Sequence, residues 1–427
     1  MRARALAVAT AVTLLTTGAP APAAAAPATT PAAPAAAPAP AAPCPRLPAP
    51  KVSRPPRPTT PATTPEQAAV GGEALAGTGL VVPPGSPAPP AVTATTWLVA
   101  DLDTGAVLGA CGAHVPGTPA STQKLLLAAT MLSRLDPKQV AVATRDDLDI
   151  EPGSSAVGLL VGGRYSVATL WLGLLLQSGN DAANMLARLG AGSAQAGVAE
   201  MNAEARRLGA GQTHAVTPSG LDGPGQFTTA YDLALIARAC FADAAFRRYA
   251  LTERTQIPAQ PALKKGGFQI QNENQLVYRY PGALGGKTGF TELARHSYVG
   301  AAQRDGRRLV VTLLGAEARP VRGWQQGAQL LDWGFRLPRD ASVGRLVEPG
   351  GPAAEAARPG PAPAAEPTRT PGEPWRGPGG TALRRIGDGD WRVIVPAAGL
   401  LALAVGGVVA VLAARRARAG RRGRRRA

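Results

Sequence analysis

Ser121 and Lys124 stand three residues apart in Pro119-Ala120-Ser121-Thr122-Gln123-Lys124, at the head of an apolar run over 125–132. On a helix, positions i and i+3 share a face, so the lysine nitrogen can reach the serine oxygen one turn away. A serine hydroxyl is a poor nucleophile at its ordinary pKa. A lysine kept neutral by desolvation or by a second cation can take its proton during attack on a carbonyl. Taken alone, the spacing is common by chance and more often marks a helix cap followed by a surface lysine.

Two more short motifs follow in order. Ser178-Gly179-Asn180 ends an apolar stretch over 165–177 and places a hydroxyl and a carboxamide where the chain leaves the core. Lys287-Thr288-Gly289 falls in a strand-like run over 286–290 behind Gly285-Gly286, where a substrate backbone can approach closely. Together they make an acyl-transfer set. Ser121 attacks, Lys124 takes its proton, Ser178 relays a proton to the leaving group and Asn180 holds the substrate amide. Lys287 adds a positive charge that favours a neutral Lys124 and attracts a substrate carboxylate. The backbone N–H groups of Ser121 and Phe290 can face a developing oxyanion. The strand carrying Lys287 also offers an edge for an extended peptide.

The elements that must position these groups follow from periodicity. Residues 95–103 alternate, turn at Asp103-Thr104-Gly105 and return over 106–110 as a hairpin. Helical spacing covers 165–177, 181–190, 197–208 and 230–247, with Thr228 or Thr229 as N-cap of the last. Strands follow over 286–290, 297–303 and 309–314, the last two joined by Asp305-Gly306, and a helix over 321–335 closes the set. This order predicts an α+β domain whose terminal segments meet in one antiparallel sheet.

The chain has 427 residues, with 42 Pro and 51 Gly concentrated, together with Ala, on either side of the patterned region. Residues 1–26 have the basic start, apolar run and small-residue end of a signal peptide. Residues 27–90 read as a Pro/Ala-rich spacer, 91–340 as the enzyme domain and 341–392 as a Pro/Gly/Ala-rich linker. Residues 393–414 carry no charge and are long enough to cross a hydrocarbon core of ~30 Å. Residues 415–427 are an Arg-rich tail that the positive-inside rule keeps cytoplasmic, which leaves the domain on the exported face of a single-pass protein. The net charge of +17 divides as +4 over 1–90, +4 over 91–340, zero over 341–390 and +9 over 391–427. More than half of it is the tail, so the basic balance is a topology signal and not a nucleic-acid footprint. The small excess in the domain would suit an anionic substrate. Cys44, Cys111 and Cys240 allow three pairings or a buried unpaired Cys240, and with His114, His214 and His296 they form no metal-ligand spacing. No metal or other cofactor is expected.

At this point the chain resembles the serine-type D-alanyl-D-alanine carboxypeptidases, the low-molecular-mass penicillin-binding proteins, of actinobacterial type. Beyond the three motifs the likeness runs through Asp181-Ala182-Ala183-Asn184, Met201-Asn202, Ser219-Gly220-Leu221-Asp222, Thr229-Ala230-Tyr231-Asp232-Leu233, Asn272-Glu273-Asn274 and Phe290-Thr291. It implies a five-stranded antiparallel sheet packed against a helical cluster. It also implies Ser121, Lys124, Ser178 and Asn180 as catalytic residues, and Lys287, Thr288, Gly289, Phe290 and Thr291 as substrate-binding residues. The substrate implied is the peptidoglycan stem pentapeptide ending in D-Ala-D-Ala, with β-lactams as covalent inhibitors. Many relatives carry a second, β-rich domain, and in its place the Pro/Gly-rich stretch is expected here. Gln123 and Glu273 vary the motifs in which they stand. A class A-like β-lactamase would need a glutamate directing a deacylating water, and Glu200, Glu204 and Glu273 all lack an E-x-x-L-N setting. A non-catalytic wall-binding or β-lactam-sensing module would more simply have lost a motif residue. Whether water or an amine receives the acyl group stays open.

Overall fold

Strands β2 (Thr96–Asp101) and β10 (Arg307–Ala316) run antiparallel at the centre of the main sheet, pairing Val99 with Val311 and Ala100 with Val310. Side chains alternate across a strand, and here both sides are apolar. Trp97, Val99, Leu309, Val311 and Leu313 enter one core, while Leu98, Ala100, Val310 and Leu314 enter the other. A strand buried on both faces needs helices on both faces. The computed structural model describes residues 42–50, 52 and 60–351, all within one unit, Met1–Gly360. The signal peptide (1–26), the apolar segment 393–414 and the arginine tail lie outside the described residues.

In chain order the strands are β1 (Leu80–Val81), β2, β3 (Ala106–Cys111), β4 (Val140–Val142), β5 (Arg164–Ser166), β6 (Arg254–Ile257), β7 (Phe268–Gln271), β8 (Ala283–Thr291), β9 (Arg295–Arg304), β10 and β11 (Gly344–Arg345). The main sheet has the order β1-β3-β2-β10-β9-β8, with β11 also on β3. It therefore has seven strands, not five. The two extra ones are two-residue pairings from the segments flanking the domain, too short to carry a period-2 pattern, and they cover the outer edge of β3. β4 and β5 form a small hairpin-like pair, as do β6 and β7.

The helices are α1 (Pro65–Ala68), α2 (Lys124–Met131), α3 (Val167–Leu176), α4 (Asn180–Ala191), α5 (Ala194–Arg207), α6 (Ala230–Ala242), α7 (Ala244–Leu251), α8 (Leu276–Arg279) and α9 (Gly323–Arg336). α9 packs Leu330, Leu331 and Trp333 on one face of the sheet, and α2 to α7 gather on the other. The helical pattern over 230–247 is two helices. Asp243 turns out into an extended conformation and accepts from Ala245 N and Phe246 N, which starts α7 afresh. Thr229 is the N-cap of α6.

Residues 60–90 belong in composition with the spacer but pack on the domain. Leu75 is fully buried, Val70 nearly so, and a disulfide joins Cys44 to Cys111 at the end of β3. On the other side Leu346 is buried, and Tyr231 Oη donates to Arg345 O and accepts from Val347 N. Cys240 is free and buried. Among the described residues no helix is long and apolar enough to cross a membrane.

Candidate active site

Ser121 lies in a 3-10 turn, Ala120–Gln123, and Lys124 is the first residue of α2. In a 3-10 turn, side chains at i and i+3 eclipse, so the pair is aligned more directly than on an α-helix. Lys124 Nζ is 2.8 Å from Ser121 Oγ, 2.7 Å from Asn180 Oδ1 and 2.8 Å from the Ser219 carbonyl oxygen. The last two partners can only accept. They take both N–H groups of a neutral amine and leave its lone pair facing the serine O–H. Lys124 is fully buried, which drives its pKa well below 10.5, and the nearby charge of Lys287 pushes the same way. Asp181 and Glu273 pull in the opposite direction.

Ser178 sits between α3 and α4 in the left-handed region, φ 61°, and Ala120 is there too at φ 47°. Such strain in non-glycine residues persists where the surroundings over-determine it. Asn180 opens α4 and donates its N–H to Ser155 O, while Asp181 accepts from Val157 N, Gly158 N and Leu159 N. The first two residues of α4 thus hold the 151–159 loop as one wall of a cleft of about 950 Å³. Ser121, Ser178 and Asn180 lie in that cleft. The facing wall is β8, with Thr288, Gly289, Phe290 and Thr291 in the lining, and Gly220 to Asp222 form the third side. Thr291 Oγ1 donates to Asp222 Oδ1 at 2.9 Å across it.

Two glycines are fixed by close approach. A methyl group on Gly289 would stand 2.9 Å from Ser121 N and 3.1 Å from Thr122 N, so β8 passes directly against the serine turn. Gly220, at φ 86°, meets the Ala120 carbonyl oxygen so closely that a Cβ would collide with it.

The side chain of Lys287 is buried, Nζ donates to Thr288 O at 2.7 Å, and it is not among the residues lining the cleft. Its charge acts on Lys124. Burial lowers its pKa to about 8, Glu273 opposing the shift. Gln123 is buried as well. Its Nε2 donates to Thr217 O at 2.5 Å and Gln226 Oε1 at 3.1 Å, bracing the turn that presents Ser219. Glu273 does face the cleft, and desolvation raises its carboxyl against the pull of Lys287 and Lys124. Ser219 O as the third partner of Lys124 was beyond motif reading, because every residue has a carbonyl. The acidic lining was missed too: Glu151, Asp222, Glu273 and Glu292 border the cleft, with no lysine or arginine. The domain's positive excess lies elsewhere.

Residues 84–318 match the family of D-alanyl-D-alanine carboxypeptidases. The chain belongs to that family. Membership makes it a serine-type carboxypeptidase, a hydrolase. It is similar to D-alanyl-D-alanine carboxypeptidase DacB2 of Mycobacterium tuberculosis, 46% identical over 271 residues, 62% of this chain and 90% of that one. It is 35% identical over 259 residues to DacD of Salmonella typhimurium, covering 58% of this chain and 64% of the relative. Among solved structures, a D-alanyl-D-alanine carboxypeptidase from Mycobacterium tuberculosis has a TM-score of 0.59 at 46% identity, over 62% of this chain and 100% of that one. A Streptomyces DD-transpeptidase has a TM-score of 0.55 at 26% identity, over 58% and 99%. The carboxypeptidase therefore has the α+β fold of the penicillin-binding, transpeptidase-like proteins.

Proposed function

We propose that this carboxypeptidase removes the terminal D-alanine from peptidoglycan pentapeptides through an ester on Ser121. The observation that carries the reading is the buried Lys124 amine 2.8 Å from Ser121 Oγ with two pure acceptors on its other side. Ser121 Oγ attacks the carbonyl of the penultimate residue and passes its proton to Lys124 Nζ. The C–N bond then breaks, and the proton reaches the departing D-alanine amine by way of Ser178. Water attacks the ester, gives a proton to Lys124, and Ser121 Oγ leaves with that proton restored. The sum is peptide plus water to D-alanine plus shortened peptide. Ser121 N and Phe290 N serve the oxyanion, at the crossing of the serine turn and β8. Thr288 offers a hydroxyl to the substrate, Thr291 lines the cleft with its hydroxyl on Asp222, and Phe290, half exposed, offers a ring face.

A β-lactam presents a strained amide to the same serine and forms the same kind of ester. In the β-lactamase alternative a glutamate directs fast deacylation. Glu200 pairs with Arg134 and Glu204 with Arg207, and neither lines the cleft, so Glu273, which does line it, is the one of the three that this alternative could use. We place the domain on the exported face, held by the apolar segment 393–414 with the arginine tail in the cytoplasm, on the strength of charge and hydropathy patterning.

A labelled penicillin tests the mechanism. Wild-type protein should form a long-lived adduct and Ser121→Ala none. Rapid turnover of the penicillin would favour a β-lactamase, absence of labelling a non-catalytic module, and labelling of both proteins another nucleophile.

A further inference from the structure

Asn272-Glu273-Asn274 joins β7 to α8 and is held at both ends. Asn272 N donates to Glu253 O, and its Nδ2 donates to Ala250 O at 3.1 Å and Thr252 O at 3.0 Å. Asn274 N donates to Asn272 Oδ1, and Asn274 Oδ1 accepts from Leu276 N and Tyr298 Oη. Both asparagines are buried, and Glu273 between them is exposed. Its N–H donates to Leu176 O at 3.0 Å, at the end of α3 and two residues before Ser178. This framework fixes one residue, whose side chain lines the same cleft as Ser121, Ser178 and Asn180.

The Glu273 carboxylate is in no ion pair among the described residues. Its charge nevertheless acts on both Lys124 and Lys287, opposing the effect of their burial. Lys124 Nζ is in turn 2.8 Å from Ser121 Oγ. An unpaired carboxylate, open to solvent and beside the base, can accept a hydrogen bond from water at the ester. Two acceptors compete for that ester, water and an amine. A carboxylate favours the ammonium form of an amine, which has no lone pair to attack with. Water keeps its lone pairs in any field, and a carboxylate that binds one of its hydrogens aims its oxygen.

We propose that Glu273 is a positioning residue that commits the acyl-enzyme to water. The inference rests on the carboxypeptidase reading above and names the acceptor within it. The water oxygen attacks the ester carbonyl with one hydrogen bonded to Glu273, and its other proton passes to Lys124 Nζ. Ser121 Oγ leaves with the proton from Lys124. The hydrogen bonded to Glu273 stays on the new carboxyl group, which ionises on release. In a penicilloyl ester the opened ring stays attached and fills the space that D-alanine vacates, so water is kept out and that adduct persists.

The test gives the full-length protein a peptide ending in D-Ala-D-Ala, with and without glycylglycine as an amine acceptor, and separates hydrolysed from transferred product. Wild-type protein should give mostly hydrolysed peptide. In Glu273→Gln the ratio of transfer to hydrolysis should rise on the order of tenfold, while penicillin acylates the variant no more slowly than the wild type. An unchanged ratio in E273Q overturns the role of Glu273 and leaves the carboxypeptidase reading standing. Acylation and hydrolysis that fall together at a constant ratio assign the residue to the fold or to Lys124, and overturn the proposal as well. Absence of D-alanine release by the wild type sinks the carboxypeptidase reading and the proposal with it.

Discussion

The backbone of Gly289 in β8 passes the Ser121 amide so closely that a methyl group there would stand 2.9 Å from its nitrogen. The serine turn and the motif strand are in this sense one object. Ser297 on β9 adds to it, donating from Oγ to Pro119 O at 2.5 Å at the start of the same turn.

The added methyl of Gly289→Ala would meet the Ser297 hydroxyl first and then the amides of Ser121 and Thr122, so it should push both Ser297 and the turn away from β8. Overpacking of this kind costs about 1–3 kcal/mol of stability, and displacement of one oxyanion donor lowers acylation on the order of 10²-fold. Thermal unfolding and the rate of penicillin labelling read the two effects. Wild-type labelling by a folded G289A protein would show that the contact is not used.

Lys124→Met keeps a long buried side chain and removes the amine. Loss of the base should cost acylation at least ~10²-fold, while circular dichroism shows the native fold. The assignment fails if K124M labels at the wild-type rate.

Lys287 gives a prediction in pH. Its charge helps keep Lys124 neutral, so Lys287→Met should raise the Lys124 pKa and move the acid limb of the acylation profile upward. The sign for stability follows from the folded value of about 8 against the ordinary 10.5. Unfolding takes up a proton between those values, so this lysine makes stability rise with pH across the window from 8 to 10.5. Denaturant titrations at both ends should show the rise in the wild type and a smaller one in K287M. An unmoved acid limb would contradict the coupling.

How far could these relationships be read without coordinates? Ser121, Lys124, Ser178, Asn180 and the strand from Lys287 to Thr291 were legible because short motifs tie side-chain type to a fixed backbone step. The core strands were legible from their apolar runs, and the β9–β10 hairpin from Asp305-Gly306. What stayed hidden acts through the backbone or through distant segments. The Ser219 carbonyl binds Lys124 with an atom that every residue carries. The β1 and β11 pairings are two residues each, and Leu75 sits in a segment whose composition is that of a spacer. The break at Asp243 was masked because Ala and Phe on either side continue a helical pattern.

The Cys44–Cys111 bridge fastens that leading segment to β3 across a sequence separation of 67. Replacing both with serine should lower stability by about 2–4 kcal/mol. Cys240, whose thiol burial pushes up, should stay unreactive toward a thiol reagent until the protein unfolds. An unchanged unfolding midpoint in the double serine variant, or native-state labelling of Cys240, would argue against this arrangement.

The central claim is that Ser121, with Lys124 as its base, cleaves a D-Ala-D-Ala terminus. The direct measurement is free D-alanine released from a pentapeptide with that terminus by wild-type protein and by Ser121→Ala. Steady release by the wild type and none above background by the folded S121A protein is the predicted result. Equal release by both, or none by well-folded wild-type protein, would contradict it.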